Sequence, residues 1–171
     1  MNNIHRNAKI GRNVQVGPFT TIEEDVVIGD GCRIGANASI LNGTRMGSNC
    51  NIFPGAVVGA SPQDLKFEGE SSTLEIGNNV TIREYCTINR GTKASFKTYI
   101  GDHCLLMAYV HVAHDCIVGP HSILANNVNL AGHIHVGHHV VIGGLVAVHQ
   151  FVKIGDHVMV GGGSLVRKDI P

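Results

Sequence analysis

The chain has 171 residues, no formal net charge at neutral pH, 43% apolar and 15% charged residues, 22 glycines, five cysteines and no tryptophan. Zero net charge gives no bulk electrostatic hold on nucleic acid, three Tyr and five Phe are too few for a base-stacking platform, and the apolar content disfavours disorder. With no apolar run long enough to span a membrane and no hydrophobic leader, the expectation is one soluble domain in the cytoplasm.

From the N-terminus, an apolar residue returns at every sixth position: Ile4, Ile10, Val16, Ile22, Ile28, Ile34, Ile40, Met46, Ile52 and Val58. The series then breaks over 61–73, where the same phase holds Asp64 and Glu70, which would be costly to bury. It resumes in phase at Ile76, Ile82 and Ile88, slackens over 91–98 around Ala94, and runs unbroken from Ile100 to Val166. Ile, Val, Leu or Met fills 25 of the 28 positions, and Gly follows in 13 cases. A period of six fits neither an α-helix nor a plain strand. It fits a short strand and a tight corner, repeated on three sides to give a parallel β-helix with 18-residue coils about 4.8 Å apart. The glycines are expected at positive φ in the corners. Segments 61–73 and 91–98 are expected as loops that leave the coil and return, the kind of segment that often carries function.

The side chains of Cys32, Cys50, Cys86, Cys104 and Cys116 all lie two residues before an inward position and so share its face. The first four also share one phase of the 18-residue coil, which predicts a single column of small core fillers with no metal role. Ten of the eleven histidines fall between 103 and 157. His103, His121, His139 and His157 are 18 apart and predict a solvated ladder at one corner. His114, His133 and His149 have nearly the same coil phase, so they should gather at one edge on successive coils, with His111 facing outward beside His114. These are either polar corner residues or a general base with its surroundings. In the second reading His114 takes a proton from a hydroxyl attacking an activated acyl group. Asp115 supports it if a corner brings these neighbours together. A backbone N–H within 131–133 steadies the oxyanion. With no GxSxG or activated cysteine, direct transfer is favoured over a covalent intermediate.

Several ordered segments carry a resemblance: Gln63-Asp-Leu-Lys66, Thr87-Ile-Asn-Arg-Gly-Thr92, His111-Val-Ala-His-Asp115, Ile123-Leu-Ala-Asn-Asn127, Leu130-Ala-Gly-His133, Ala147-Val-His-Gln-Phe151 and His157-Val-Met-Val-Gly-Gly162. Together they resemble the UDP-N-acetylglucosamine O-acyltransferases, which catalyse the first step of lipid A synthesis. The resemblance implies an all-β, single-stranded left-handed parallel β-helix of hexapeptide repeats, assembled as a trimeric prism. It implies transfer of a 3-hydroxyacyl chain from acyl carrier protein to the 3-hydroxyl of UDP-N-acetylglucosamine, without cofactor or metal. By motif, His114 matches the base, Asp115 its neighbour and Gly132 the oxyanion amide. Gln63, Asp64, Lys66, His111, His133, His149 and Gln150 match substrate-lining positions, Asp64 and Lys66 reaching in from the adjoining subunit. Met159 and Gly162 match the acyl-chain groove. An acidic carrier protein would find Lys93, Lys97, Arg167 and Lys168.

The chain departs from the family at Asn89, where His is common. The family also continues into a C-terminal helical domain that grips the UDP moiety. The chain is expected as one β-helix domain, 1–171, without it, and acyl transfer by this stretch alone is expected to be weak or absent. The alternative reading is a γ-carbonic-anhydrase-like zinc enzyme using His111, His133 and His138, whose spacings resemble that family's ligands.

Overall fold

Each hexad folds as a strand of two to four residues followed by a tight corner in the computed structural model, which describes residues 1–171. Twenty-five strands result, and each contains one of the apolar hexad residues. Every third strand pairs in parallel. The first sheet has nine strands, from Asn3–Ile4 to Leu165–Val166. The second has eight, from Lys9–Ile10 to Lys153–Ile154, and the third has eight, from Gln15–Val16 to Met159–Val160. The fold is a single-stranded left-handed parallel β-helix. No helix long and apolar enough to cross a membrane is present.

The apolar rows of the three sheets meet in a core of 38 buried residues, including Ile22, Leu74, Leu106, Leu124 and Leu130. Burying each such side chain contributes about 1.5–3 kcal/mol. No coil can do this alone, so stability comes from stacking. Two polar side chains in the core return their bonds to corners: Ser122 Oγ donates to the Gly137 carbonyl at 3.0 Å, and Thr20 Oγ1 to that of Gly17 at 2.9 Å.

The glycine expectation needs correction. Of the 13 glycines that follow the apolar positions only Gly59 has positive φ (88°); elsewhere it falls two residues further on, chiefly at Asn, His and aromatic residues such as Asn49 (58°), Tyr109 (63°) and His121 (59°). Glycine is needed after the strand for a different reason. Every corner from the second sheet to the third begins with Gly: 11, 29, 47, 77, 101, 119, 137 and 155. A Cβ on Gly119 would lie 2.5 Å from the Gly137 carbonyl oxygen, and one on Gly29 would lie 2.6 Å from the Gly47 carbonyl carbon. Close approach between coils, not left-handed backbone, selects the residue.

The two excursions also change the column count. Asn3 pairs with Thr21, 18 residues on, but Val57 pairs with Thr87 and Thr87 with His111. The 18-residue phase therefore does not carry across them. All five cysteines are buried, as expected, but the first four do not form one column. Cys32 and Cys50 are followed by Val80, then Cys104 and Ser122, through the bonds Arg33 N–H to Cys50 O, Asn51 N–H to Val80 O, Thr81 N–H to Cys104 O and Leu105 N–H to Ser122 O. Cys86 precedes a first-sheet strand and lies below Val110. Burial pushes the Cys86 and Cys104 thiols up to about 11, which suits inert fillers. Beyond the excursions the histidine ladder forms as expected. The exposed rings of His103, His121, His139 and His157 stack in sequence with centroids 4.8, 4.7 and 5.1 Å apart.

Candidate active site

Both excursions leave the coil at the same edge, between the first sheet and the second. One joins the strands Val57–Ala60 and Thr73–Ile76, the other Thr87–Asn89 and Lys97–Ile100. Coils above them pass the same edge through residues 113–116, 131–134 and 149–152. Repeats supply a rigid edge and the loops lean over it.

His114 and Asp115 are adjacent, and in a strand their side chains would diverge. Asp115 instead has φ of 58°. That corner conformation brings its Oδ2 to 2.8 Å from His114 Nδ1. The carboxylate is almost wholly buried, with a side-chain exposure of 2%, and is saturated with donors. Thr92 N–H and Oγ1 donate to it at 3.1 and 2.7 Å, and Ser95 donates through both its N–H and its hydroxyl. Its own N–H donates to Thr98 Oγ1 at 2.9 Å. Burial alone would push the Asp115 carboxyl up, but the Ser95, Thr92 and His114 hydrogen bonds outweigh it and hold the group below its ordinary value. A charged Asp115 facing Nδ1 selects the tautomer with the proton on Nδ1 and leaves Nε2 as an acceptor.

Gly132 lies over that acceptor. A Cβ there would fall 2.5 Å from His114 Cε1 and 2.7 Å from Nε2. Its N–H makes no hydrogen bond within the chain, whereas those of Ala131 and His133 donate to the carbonyls of Val148 and His114. A free amide therefore sits beside the open nitrogen of an oriented imidazole, which is the arrangement a hydroxyl attacking a carbonyl requires. His133 meets His114 edge-on at 4.9 Å and stacks on Phe151 at 4.6 Å. Its Nδ1 lies 3.8 Å from Asp115 Oδ2.

Gln63, Asp64, Leu65 and Lys66 of the long excursion close one side of a cavity of about 480 Å³, opposite His114, His133, Gln150 and Phe151. Asp64 and Lys66 thus face His114 across the cavity within one chain. Four ties hold this loop, one of them the ion pair of Lys93 Nζ with Glu68 Oε2 at 3.6 Å. Asn89 Nδ2 donates to the Ser61 carbonyl at 3.1 Å, the Arg90 guanidinium lies 5.3 Å from the Phe67 ring centre, and Lys93 N–H donates to Glu70 Oε1 at 2.8 Å.

Other expected residues lie apart from the cavity. His111 is half-buried on the first sheet with Nδ1 2.7 Å from Thr87 Oγ1, and burial lowers its pKa. His149 is exposed, its Nδ1 3.2 Å from the Gln150 carbonyl oxygen. Met159 is exposed on the third sheet, and Gly162 follows at the corner back to the first. His111, His133 and His138 do not meet in this chain, since His138 belongs to the corner between the second and third sheets; the zinc alternative finds no assembled site here. Donor atoms of His114, Asp115 and His133 do lie within 4.8 Å of one another. However, Asp115 is committed to Thr92, Ser95 and His114, so they form a carboxylate–imidazole pair with a neighbour. Sequence reasoning missed Thr92, Ser95 and Thr98 as holders of Asp115. Thr92 closed a recognised segment but had no assigned partner, and nothing marked Ser95 or Thr98.

The bacterial transferase hexapeptide (six repeats) family matches residues 7–42, 25–60 and 97–132. Acyl-[acyl-carrier-protein]--UDP-N-acetylglucosamine O-acyltransferase of Sulfurihydrogenibium sp. is 56% identical over 116 residues, and that of Bartonella henselae 46% over 114. Each match takes in 66% of this chain but 42% of the relative, so the chain spans well under two thirds of these proteins. Among solved structures, LpxA from Acinetobacter baumannii superposes with a TM-score of 0.98 at 48% identity, covering 99% of this chain and 66% of that one. LpxA of Bacteroides fragilis, a UDP-N-acetylglucosamine acyltransferase, gives 0.97 at 51%, covering 99% and 67%. With hexapeptide repeats along its length and this likeness in both sequence and fold, the chain belongs to the acyl-[acyl-carrier-protein]--UDP-N-acetylglucosamine O-acyltransferases of the hexapeptide-repeat transferase family.

Proposed function

We propose that this protein transfers a 3-hydroxyacyl chain from acyl carrier protein to the 3-hydroxyl of UDP-N-acetylglucosamine, in the cytoplasm and as a homotrimer. The observation that carries the chemistry is the buried, fully hydrogen-bonded Asp115 aimed at His114 Nδ1, with the free Gly132 amide beside Nε2. Nε2 takes the sugar hydroxyl's proton as its oxygen bonds to the acyl carbon. The Gly132 N–H donates to the oxyanion that forms. Collapse breaks the bond to the carrier, and the imidazolium returns its proton to the leaving group. Gln63, Asp64 and Lys66 hold the sugar across the cavity, with His133 and Gln150 on the coil side. His111 and His149 extend the substrate surface, and Met159 and Gly162 bound the acyl groove.

The test is His114→Ala, assayed with 3-hydroxyacyl carrier protein and UDP-N-acetylglucosamine. Loss of a general base lowers turnover by about 10²–10⁴-fold. Turnover that persists in a folded variant would remove His114 from the reaction.

A further inference from the structure

The ladder has a second histidine beside it at only one level. Gly137-His138-His139 lies directly below Gly155-Asp156-His157, whereas the corners beneath read Gly119-Pro120-His121 and Gly101-Asp102-His103. His138 stands perpendicular to the stack. Its ring centre is 5.4 Å from that of His139 and 4.8 Å from that of His157, and those two are 5.1 Å apart. Three imidazoles thus form a near-equilateral triangle at the edge between the second and third sheets, away from the cavity.

We propose that His138, His139, His157 and Asp156 bind a divalent transition-metal ion of the zinc class. A tetrahedral zinc ion with Zn–N bonds of about 2.0–2.1 Å places imidazole centres roughly 5 Å apart and neighbouring donor atoms about 3.3 Å apart. The triangle meets the first requirement. The second is met by His138 Nε2 and Asp156 Oδ2, which are 3.1 Å apart. Asp156 is held in place because its Oδ1 accepts the His138 N–H at 2.9 Å. Three nitrogens and one carboxylate oxygen are a donor set that suits zinc over calcium or magnesium.

One adjustment is needed. The His139 and His157 rings are parallel to within 3°, so one must turn about χ2 for their lone pairs to converge. Both side chains are exposed, and His157 ends the ladder, so its turn gives up only the stack on His139, whereas a turn of His139 would also break the stack on His121. Metal binding also needs neutral imidazole.

The experiment is calorimetric titration of the chelator-treated whole chain with zinc chloride at mildly alkaline pH, for wild type, His138→Ala/His157→Ala and His133→Ala. The expected result is a site weakened about tenfold or more in the first variant and retained in the second. Zinc should also raise Tm in wild type and His133→Ala but not in His138→Ala/His157→Ala, by preferential binding to the folded state. Metal-free melting curves report whether the variants fold. Absence of zinc binding in wild type, equal binding in the double variant, or loss in His133→Ala would each overturn the assignment; the last would place the metal on His114, Asp115 and His133.

Discussion

Asp115 shows how much one carboxylate organises. It anchors the short excursion through Thr92 and Ser95 and orients His114 on its other side. Asp115→Asn keeps the shape, but its amide cannot accept from every donor that the carboxylate served. Turnover should fall by at least about 100-fold with little change in KM, because orientation and tautomer are lost while the sugar contacts stay. Stability should fall by about 1–3 kcal/mol in urea unfolding, from donors left without acceptors. The folded carboxyl titrates below the ordinary aspartate value of about 3.9, so the unfolded chain binds more protons in that window. Its stabilisation is complete above about pH 4 and fades as pH falls through the folded value. Acid unfolding followed by circular dichroism should be shallower below pH 4 in Asp115→Asn. At the same scale, Gly119→Ala should destabilise by about 1–3 kcal/mol, since its Cβ meets the Gly137 backbone and neither coil can move without its neighbours. An unchanged melting temperature would show that the coils yield.

Elements in this protein are interchangeable in form and differ in what leaves them. A strand of two residues has no independent stability, and its inward residue carries its share of the core. Leu124 is fully buried between Leu106 and Ile142 in the third sheet, so Leu124→Ala should cost about 2–5 kcal/mol by denaturant titration. The long excursion has no repeat to stack on and depends on its ties. Asn89 is 1% exposed and donates to the Ser61 carbonyl at the loop's base. Asn89→Ala should loosen Asp64 and Lys66, raising KM for the nucleotide sugar several-fold while kcat falls less. Equal losses in both would assign Asn89 a different role.

The whole molecule is an edge-bearing prism whose cavity is closed on only part of its rim. Leu145, Phe151, Met159 and Leu165 remain between 57% and 78% exposed, which fits the proposed assembly of three chains around the cavities. Light scattering should then give three chain masses, and a monomer would remove the subunit boundary from the site. The period, the parallel β-helix and the places where it breaks were legible in the amino-acid order, because an apolar side chain every six residues fits neither an α-helix nor a plain strand, whereas the left hand came only from the family resemblance. The gathering of His114 and His133 followed from the same arithmetic, since no insertion separates them. The cysteine column failed where that arithmetic crossed the excursions: a loop adds residues without adding a coil, and only strand pairing shows how many were spent. Sequence likewise marked the glycines but not their cause, which is the distance to the next coil's backbone. The His114–Asp115 pair was undecided as well, because one φ angle determines whether neighbours diverge or meet. By itself the sequence determined the repeat and its buried rows; tertiary structure decided which residues face each other across coils and loops, because those contacts depend on stacking distance and corner geometry rather than on order along the chain.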